Sequence, residues 1–152
     1  MDVFEKIKQL FDQANIEYQV IDHEPVLTCQ YAAKIRGTRP EQGAKALVCF
    51  ADKQPILIVL PCSSRLDFKA FKNWQQVKDL RMATPEEVKD LTGVKVGAVP
   101  PIGPAIGLPV FVDEKLMQEP KICFNAGMHT RSILMGSQDY LGIIKPTIGN
   151  FT

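Results

Sequence analysis

Short segments of the 152-residue sequence bring together residue types that can bind or activate a small ligand. Lys45 follows the Pro40–Gly43 turn and stands immediately before the apolar run Ala46-Leu47-Val48-Cys49-Phe50. An ammonium at a strand end can enter a cavity beside the sheet and bind a phosphate or carboxylate, or it can remain a solvated strand-end lysine. Gly97-Ala98-Val99-Pro100-Pro101-Ile102-Gly103 joins prolines that fix φ to glycines that permit close backbone approach, so it can wall a small pocket or serve only as a turn. Asn125-Ala126-Gly127-Met128-His129-Thr130 lies between two strand-like runs. There Gly127 suits a backbone approaching a ligand carbonyl and His129 can orient a water, unless the segment is a plain hairpin loop with an exposed histidine. His23, ahead of Glu24-Pro25, can join a carboxylate in acid–base work or anchor the turn. Cys62 follows an apolar strand, but neither it nor Cys123 has a recognisable base partner, so a thiol enzyme has no motif behind it. The phosphate-loop, dinucleotide and nucleophile-elbow patterns are absent.

These segments must be held by the elements between them. Phe4, Ile7, Phe11 and Ala14 are spaced for an amphipathic helix over residues 3–15, started by Asp2. Ile16, Tyr18 and Val20 alternate as a half-buried strand, and a second helix over Thr28–Ile35 stops at Gly37. Ala46–Phe50 and Ile56–Leu60 read as central strands joined by a connection of hairpin length. Asp67 caps a helix over Phe68–Trp74, and Thr84-Pro85-Glu86-Glu87 combines a capping box with Pro at the first helical position, with Gly93 as the stop. Val94–Pro109 is read as a long shaped loop with no regular element. Strands follow at Val110–Val112, Ile122–Asn125 and Ser132–Met135, and Ser137 caps a helix around Asp139–Ile143. The expected fold is α/β: a single domain over residues 1–152, with a mixed, mostly antiparallel curved sheet surrounded by short helices.

Composition narrows the partners. With 45% hydrophobic and 23% charged residues the chain is neither disordered nor fibrous. A net charge of +1 gives no global field for DNA or an anionic membrane, so an RNA would be gripped by a local patch, for which Lys34, Arg36, Arg39, Lys45 and Arg131 are the nearest basic candidates. Short, broken apolar runs and a charged N-terminus read as a soluble cytoplasmic protein, with no membrane partner. The four cysteines show no metal-ligand spacing, which points away from zinc and towards reduced thiols.

Taken in order, the segments resemble the YbaK/EbsC family, whose fold is shared with the editing insertion domain of bacterial prolyl-tRNA synthetase. His23-Glu24-Pro25 is similar to its H-x-P turn, Lys45-Ala46-Leu47-Val48 to its K-[TAS]-L-[LV] strand start, and Arg65-Leu66-Asp67-Phe68-Lys69 to its x-L-D-x-K helix entry. Met82–Glu87 through Thr92-Gly93 resembles the helix before the glycine-proline loop, Gly97–Gly103 that loop itself, and Asn125-Ala126-Gly127 the glycine loop that follows. Departures are Ile21 where one branch has tyrosine, and Asn125 and Ser132 in a region where that branch has serine and aspartate. The resemblance implies a free-standing hydrolase that deacylates mischarged aminoacyl-tRNA carrying a small amino acid such as Ala, Cys or Ser, without cofactor or metal. It implies Lys45, Gly127 and His129 as catalytic positions, and His23, Gly97, Ala98, Pro101, Gly103, Asn125, Ala126 and Ser132 as substrate-binding ones. The implied partners are the tRNA acceptor end and an aminoacyl-tRNA synthetase. The rival reading is a non-catalytic protein that binds tRNA, another oligonucleotide or a synthetase through the same pocket.

Overall fold

A computed structural model describes residues 2–26 and 28–152. The Asp2 carboxylate accepts from the Glu5 N–H at 2.8 Å and starts helix α1 (Val3–Gln13), which buries Val3, Phe4, Ile7 and Phe11. Strand β1 (Tyr18–Asp22) follows. Thr28 caps helix α2 (Cys29–Arg36), and Gly37 closes it in the left-handed region. Strands β2 (Ala44–Ala51) and β3 (Gln54–Pro61) form a hairpin whose two turn residues, Asp52 and Lys53, both have positive φ, the geometry that matches strand twist. Asp67 caps α3 (Phe68–Gln75), and Thr84 and Glu87 form a reciprocal capping box on α4 (Pro85–Thr92). A three-residue strand, β4 (Leu80–Met82), lies between these helices. Helix α5 (Gly103–Ile106), strands β5 (Val110–Asp113), β6 (Lys121–Met128) and β7 (Arg131–Gly136), helix α6 (Ser137–Ile144) and strand β8 (Thr147–Gly149) complete the order.

The strands form a mixed sheet, β4-β2-β3-β5-β8, and a three-stranded antiparallel sheet, β1-β7-β6. In the larger sheet β2 is antiparallel to β3 and β4, whereas β3, β5 and β8 run parallel. The architecture is the expected α/β one with mostly antiparallel pairing, divided between two sheets that touch through a parallel bridge from Gly43 to Cys123. One face of the larger sheet, with Val48, Leu57, Val59 and Val112, packs on α1 and on Ile122, Phe124 and Ile133 of the smaller sheet. The other face, with Cys49, Ile56, Ile58 and Leu60, packs on Phe71 and Phe151. Burial on both faces explains the unbroken apolar runs of β2 and β3.

Several expectations are corrected. Val94–Pro109 contains α5, a single turn whose first residue, Gly103, packs so tightly that a Cβ would overlap the Leu108 carbonyl and Val110. Strands β4 and β8 span three residues each, too few for a period to show. The Ser137 hydroxyl donates to the Pro120 carbonyl, and Gly136 takes the cap position of α6. Cys29 and Cys62, expected as reduced thiols, are joined in a disulfide. The fold brings the start of α2 beside the end of β3, with a Cα–Cα distance of 5.7 Å that such a bond spans.

Candidate functional site

A cavity of about 430 Å³ opens between α2, the first half of β2, α4, the Val96–Val99 stretch and the β6–β7 connection. It exists because β2 is only half covered: β4 pairs with Cys49–Ala51 and no further. The Ala83 N–H donates to the Val48 carbonyl at 2.9 Å, which fixes the direction in which that part of the edge points. Strand pleating turns the backbone N–H and C=O of Ala46, two residues earlier, to the same side. Among the described residues no strand pairs with this edge over residues 44–47, so Ala44 to Val48 line the cavity, and Ala32, Ala83, Val88 and Val99 give it an apolar wall.

Lys45 lines the cavity half-buried, its Nζ donating to the Ser64 carbonyl at 2.7 Å. Burial, helped by the nearby Arg65 charge, holds its pKa below the usual lysine range. Across from it, Arg36 donates from Nε to Ser132 Oγ and from Nη2 to Asn125 Oδ1, both at 2.8 Å. Asn125 then donates from Nδ2 to the Gly97 carbonyl at 2.7 Å. Ser132 Oγ also meets His23 Nε2 at 2.7 Å, while His23 Nδ1 meets the Glu24 carbonyl at 2.8 Å. Because a carbonyl only accepts, Nδ1 carries the proton, and in the neutral ring Nε2 accepts from the Ser132 hydroxyl. Gly97, at φ +86°, lies against His129, and a Cβ there would sit 3.0 Å from His129 Nε2. No carboxylate lines the cavity among the described residues. Its charge therefore comes from cations, suited to an electron-rich ligand oxygen.

Of the residues expected at a site, Lys45, Gly97, Asn125 and His129 meet at this cavity. Ser132 and His23 stand behind it, connected through Arg36. Ala98, Pro101, Gly103 and Ala126, expected to bind substrate, are buried and do not line the cavity: the Pro101 carbonyl accepts from the Tyr140 hydroxyl at 2.6 Å, and Gly103 packs on Leu108 and Val110. Gly127 faces the other way, its missing Cβ directed at Val3 of α1. Arg36, expected in the basic patch that would grip RNA, instead turns inwards; the only sequence signal for that position is its place four residues after Ala32, which also lines the cavity. Met82 and Val96 form an exposed apolar rim without any sequence signal. Among the other basic candidates, Lys34 is exposed, Arg39 pairs with Glu41 and Glu119, and Arg131 pairs with Asp22 above the Phe4 ring. The cysteines offer no thiolate. Cys29 and Cys62 are bonded to each other, burial pushes the Cys49 thiol up to about 12, and burial raises Cys123 against the opposing pull of Arg36. No group of His, Cys, Asp and Glu among the described residues is arranged to hold a metal ion.

A sequence profile described as an aminoacyl-tRNA editing domain matches residues 23–143. The multifunctional Ser/Thr-tRNA deacylase ProXp-y of Escherichia coli (strain K12) is 34% identical over 152 residues, covering 97% of this chain and 91% of that protein. A proline--tRNA ligase of Solidesulfovibrio magneticus is 40% identical over 73 residues, covering 47% of this chain but 12% of the ligase. Among solved structures, a candidate trans-editing enzyme for prolyl-tRNA synthetase superposes with a TM-score of 0.85 at 24% identity, covering 100% of this chain and 98% of that one.

Proposed function

This chain belongs to the aminoacyl-tRNA editing domain family, and from that premise we propose that it is a free-standing deacylase that removes small, wrongly attached amino acids from tRNA. Residues 1–152 would act as one editing domain, in the cytoplasm where its tRNA substrate is charged. The observation that carries this reading is the cationic, carboxylate-free cavity beside the open edge of β2. An aminoacyl ester is neutral at its carbonyl and becomes anionic as water adds. An ammonium held in partly dry surroundings stabilises that developing charge more than it stabilises the ground state.

In this reading Lys45 faces the ester carbonyl, the Ala46 backbone on the open edge supplies the acceptor for the substrate's α-ammonium, and Gly97 and Asn125 wall the aminoacyl group. His129, against Gly97, orients the attacking water. With neither carboxylate nor thiolate on the lining, base catalysis falls to the substrate: the terminal ribose hydroxyl helps activate water, and a cysteinyl ester can use its own thiol. The protein contributes chiefly orientation and electrostatic stabilisation. The full-length similarity to ProXp-y, a Ser/Thr-tRNA deacylase, supports the substrate class. A panel of alanyl-, cysteinyl-, seryl-, threonyl- and prolyl-tRNA tests it. We expect release of the small residues well above spontaneous hydrolysis, with prolyl-tRNA spared by size. Release at the spontaneous rate for every ester would defeat the reading.

A further inference from the structure

Arg36 leaves the last turn of α2 and reaches across to the smaller sheet, where Asn125 and Ser132 face each other as a cross-strand pair of β6 and β7. That pair is the last in register before the ladder shifts between Asn125 and Met128. The guanidinium spans the pair, giving Nε to one residue and Nη2 to the other. Both acceptors are neutral, and Arg36 has no carboxylate partner among the described residues. Burial accordingly lowers its pKa. A half-buried cation without an anion is costly unless it serves the site.

We propose that Arg36 is a positioning residue for deacylation: by donating to Asn125 Oδ1 it orients that amide, so that Nδ2 must hold the Gly97 carbonyl and fix the wall beside His129. This rests on the deacylase reading for its consequence in rate, though not for its geometry. An unconstrained asparagine amide can turn over and exchange its donor and acceptor ends. The Arg36 donor removes that freedom, and its second arm holds Ser132, which keeps the His23 turn in place through the chain described above. Lysine offers a point charge and cannot bridge two acceptors with a planar fork, so Arg36→Lys retains the charge and loses the device. A phosphate-gripping arginine would present its fork outwards, whereas two of the three nitrogens here are spent inwards.

The experiment compares wild type, Arg36→Lys, Arg36→Ala and Asn125→Ala, with the double variant Arg36→Ala/Asn125→Ala. Single-turnover deacylation at saturating seryl- or alanyl-tRNA should fall roughly 10- to 100-fold in Arg36→Lys, a loss typical of misplaced reacting groups, with the tRNA Kd and its salt slope unchanged. The double variant should be little slower than either alanine variant alone, because the two side chains act as one unit. Backbone amide exchange at Gly97–Val99 should quicken in both Arg36 variants while protection in β2 and β3 stays the same. If Arg36→Lys instead weakens tRNA binding and flattens the salt slope at an unchanged saturated rate, Arg36 is a phosphate contact and the proposal is wrong. Unchanged exchange at Gly97–Val99 sinks it whatever the catalytic outcome. A wild type inert on every ester, with exchange altered in the variants, would overturn the deacylase reading and leave the positioning role standing.

Discussion

Lys45 occupies the place where the half-covered strand opens to the cavity, its ammonium fixed on the Ser64 carbonyl and partly withdrawn from water. If that ammonium stabilises the charge developing on the ester, Lys45→Ala should lower deacylation by about 10²-fold or more. A melting temperature close to wild type would show that the fold is intact, and near-normal activity would remove Lys45 from the site. Its depressed pKa adds a signature. The activity attributable to the ammonium should be lost at a pH below the ordinary lysine value of about 10.4. Loss of fold through this group is not the cause to expect there. A lysine whose folded pKa lies below its unfolded one disfavours the folded state while charged, and that penalty is relieved as pH rises through the folded value. A pH profile run beside thermal melts separates the two, and an alkaline limb at the ordinary lysine pKa would contradict the burial argument.

At the scale of elements, α4 shows how a local signal builds a wall of the site. The Thr84 hydroxyl accepts from the Glu87 N–H at 3.2 Å, and the Glu87 carboxylate accepts from the Thr84 N–H at 2.9 Å and from Arg81. These bonds hold the Glu87 carboxyl down to about 2. The cap fixes the helix entry next to Ala83 and Val88, both on the cavity. Thr84→Ala should therefore cost about 1 kcal/mol. In a chain of this size that lowers Tm by roughly 2–4 °C, measurable by calorimetry at pH 7, and an unchanged Tm would mean that the box does not hold the helix. Caps of this kind made α3 and α4 legible in the sequence, whereas α1 was legible from its apolar spacing beginning near Asp2 and α2 from the glycine that stops it; in the structure all four begin at a side chain that satisfies its own first turn. The hairpin was legible from its two apolar runs. Strands β4 and β8 were not, since three residues carry no period, and neither was α5, whose helix begins at a glycine selected by tight packing. The site was legible as segments rather than as geometry. Lys45, Gly97, Asn125 and His129, which meet at the cavity, lie in segments that local residue types singled out but left open and to which only the family resemblance gave roles, whereas Arg36 and the open edge of β2 arise only when α2, β2 and β6 come together. Gly127 illustrates the converse: expected in a loop, it lies in β6, and its direction, towards Val3, is a property of that bulged strand.

For the whole molecule, the decisive quantity is how much positive charge is left for tRNA. The chain carries a net charge of +1, and most of the basic candidates for a tRNA-gripping patch are committed elsewhere. Arg39 is paired with Glu119 and Glu41, Arg131 with Asp22, and Arg36 faces inwards. Exposed ion pairs of this kind contribute little to stability, but they cancel the field that a phosphate would feel. Few counterions would then be released on binding, so affinity for tRNA should be modest. With two or three phosphate contacts it should drop on the order of tenfold between 50 and 200 mM salt, against ~10³-fold or more for a protein that grips six or more phosphates. Asp22 gives a direct handle on this balance. It lies on the edge strand β1, is exposed, and its Oδ1 accepts from Arg131 Nε at 2.6 Å beside the His129-Thr130 connection. Asp22→Asn frees the Arg131 charge without removing a catalytic group. It should tighten tRNA binding and steepen the salt slope by about one unit, the change expected for one added phosphate contact, while the saturated deacylation rate stays the same. Fluorescence titrations of labelled tRNA at several salt concentrations measure both quantities. A steep slope already present in the wild type, or no change on Asp22→Asn, would show that Arg131 is not part of the surface that holds the acceptor end.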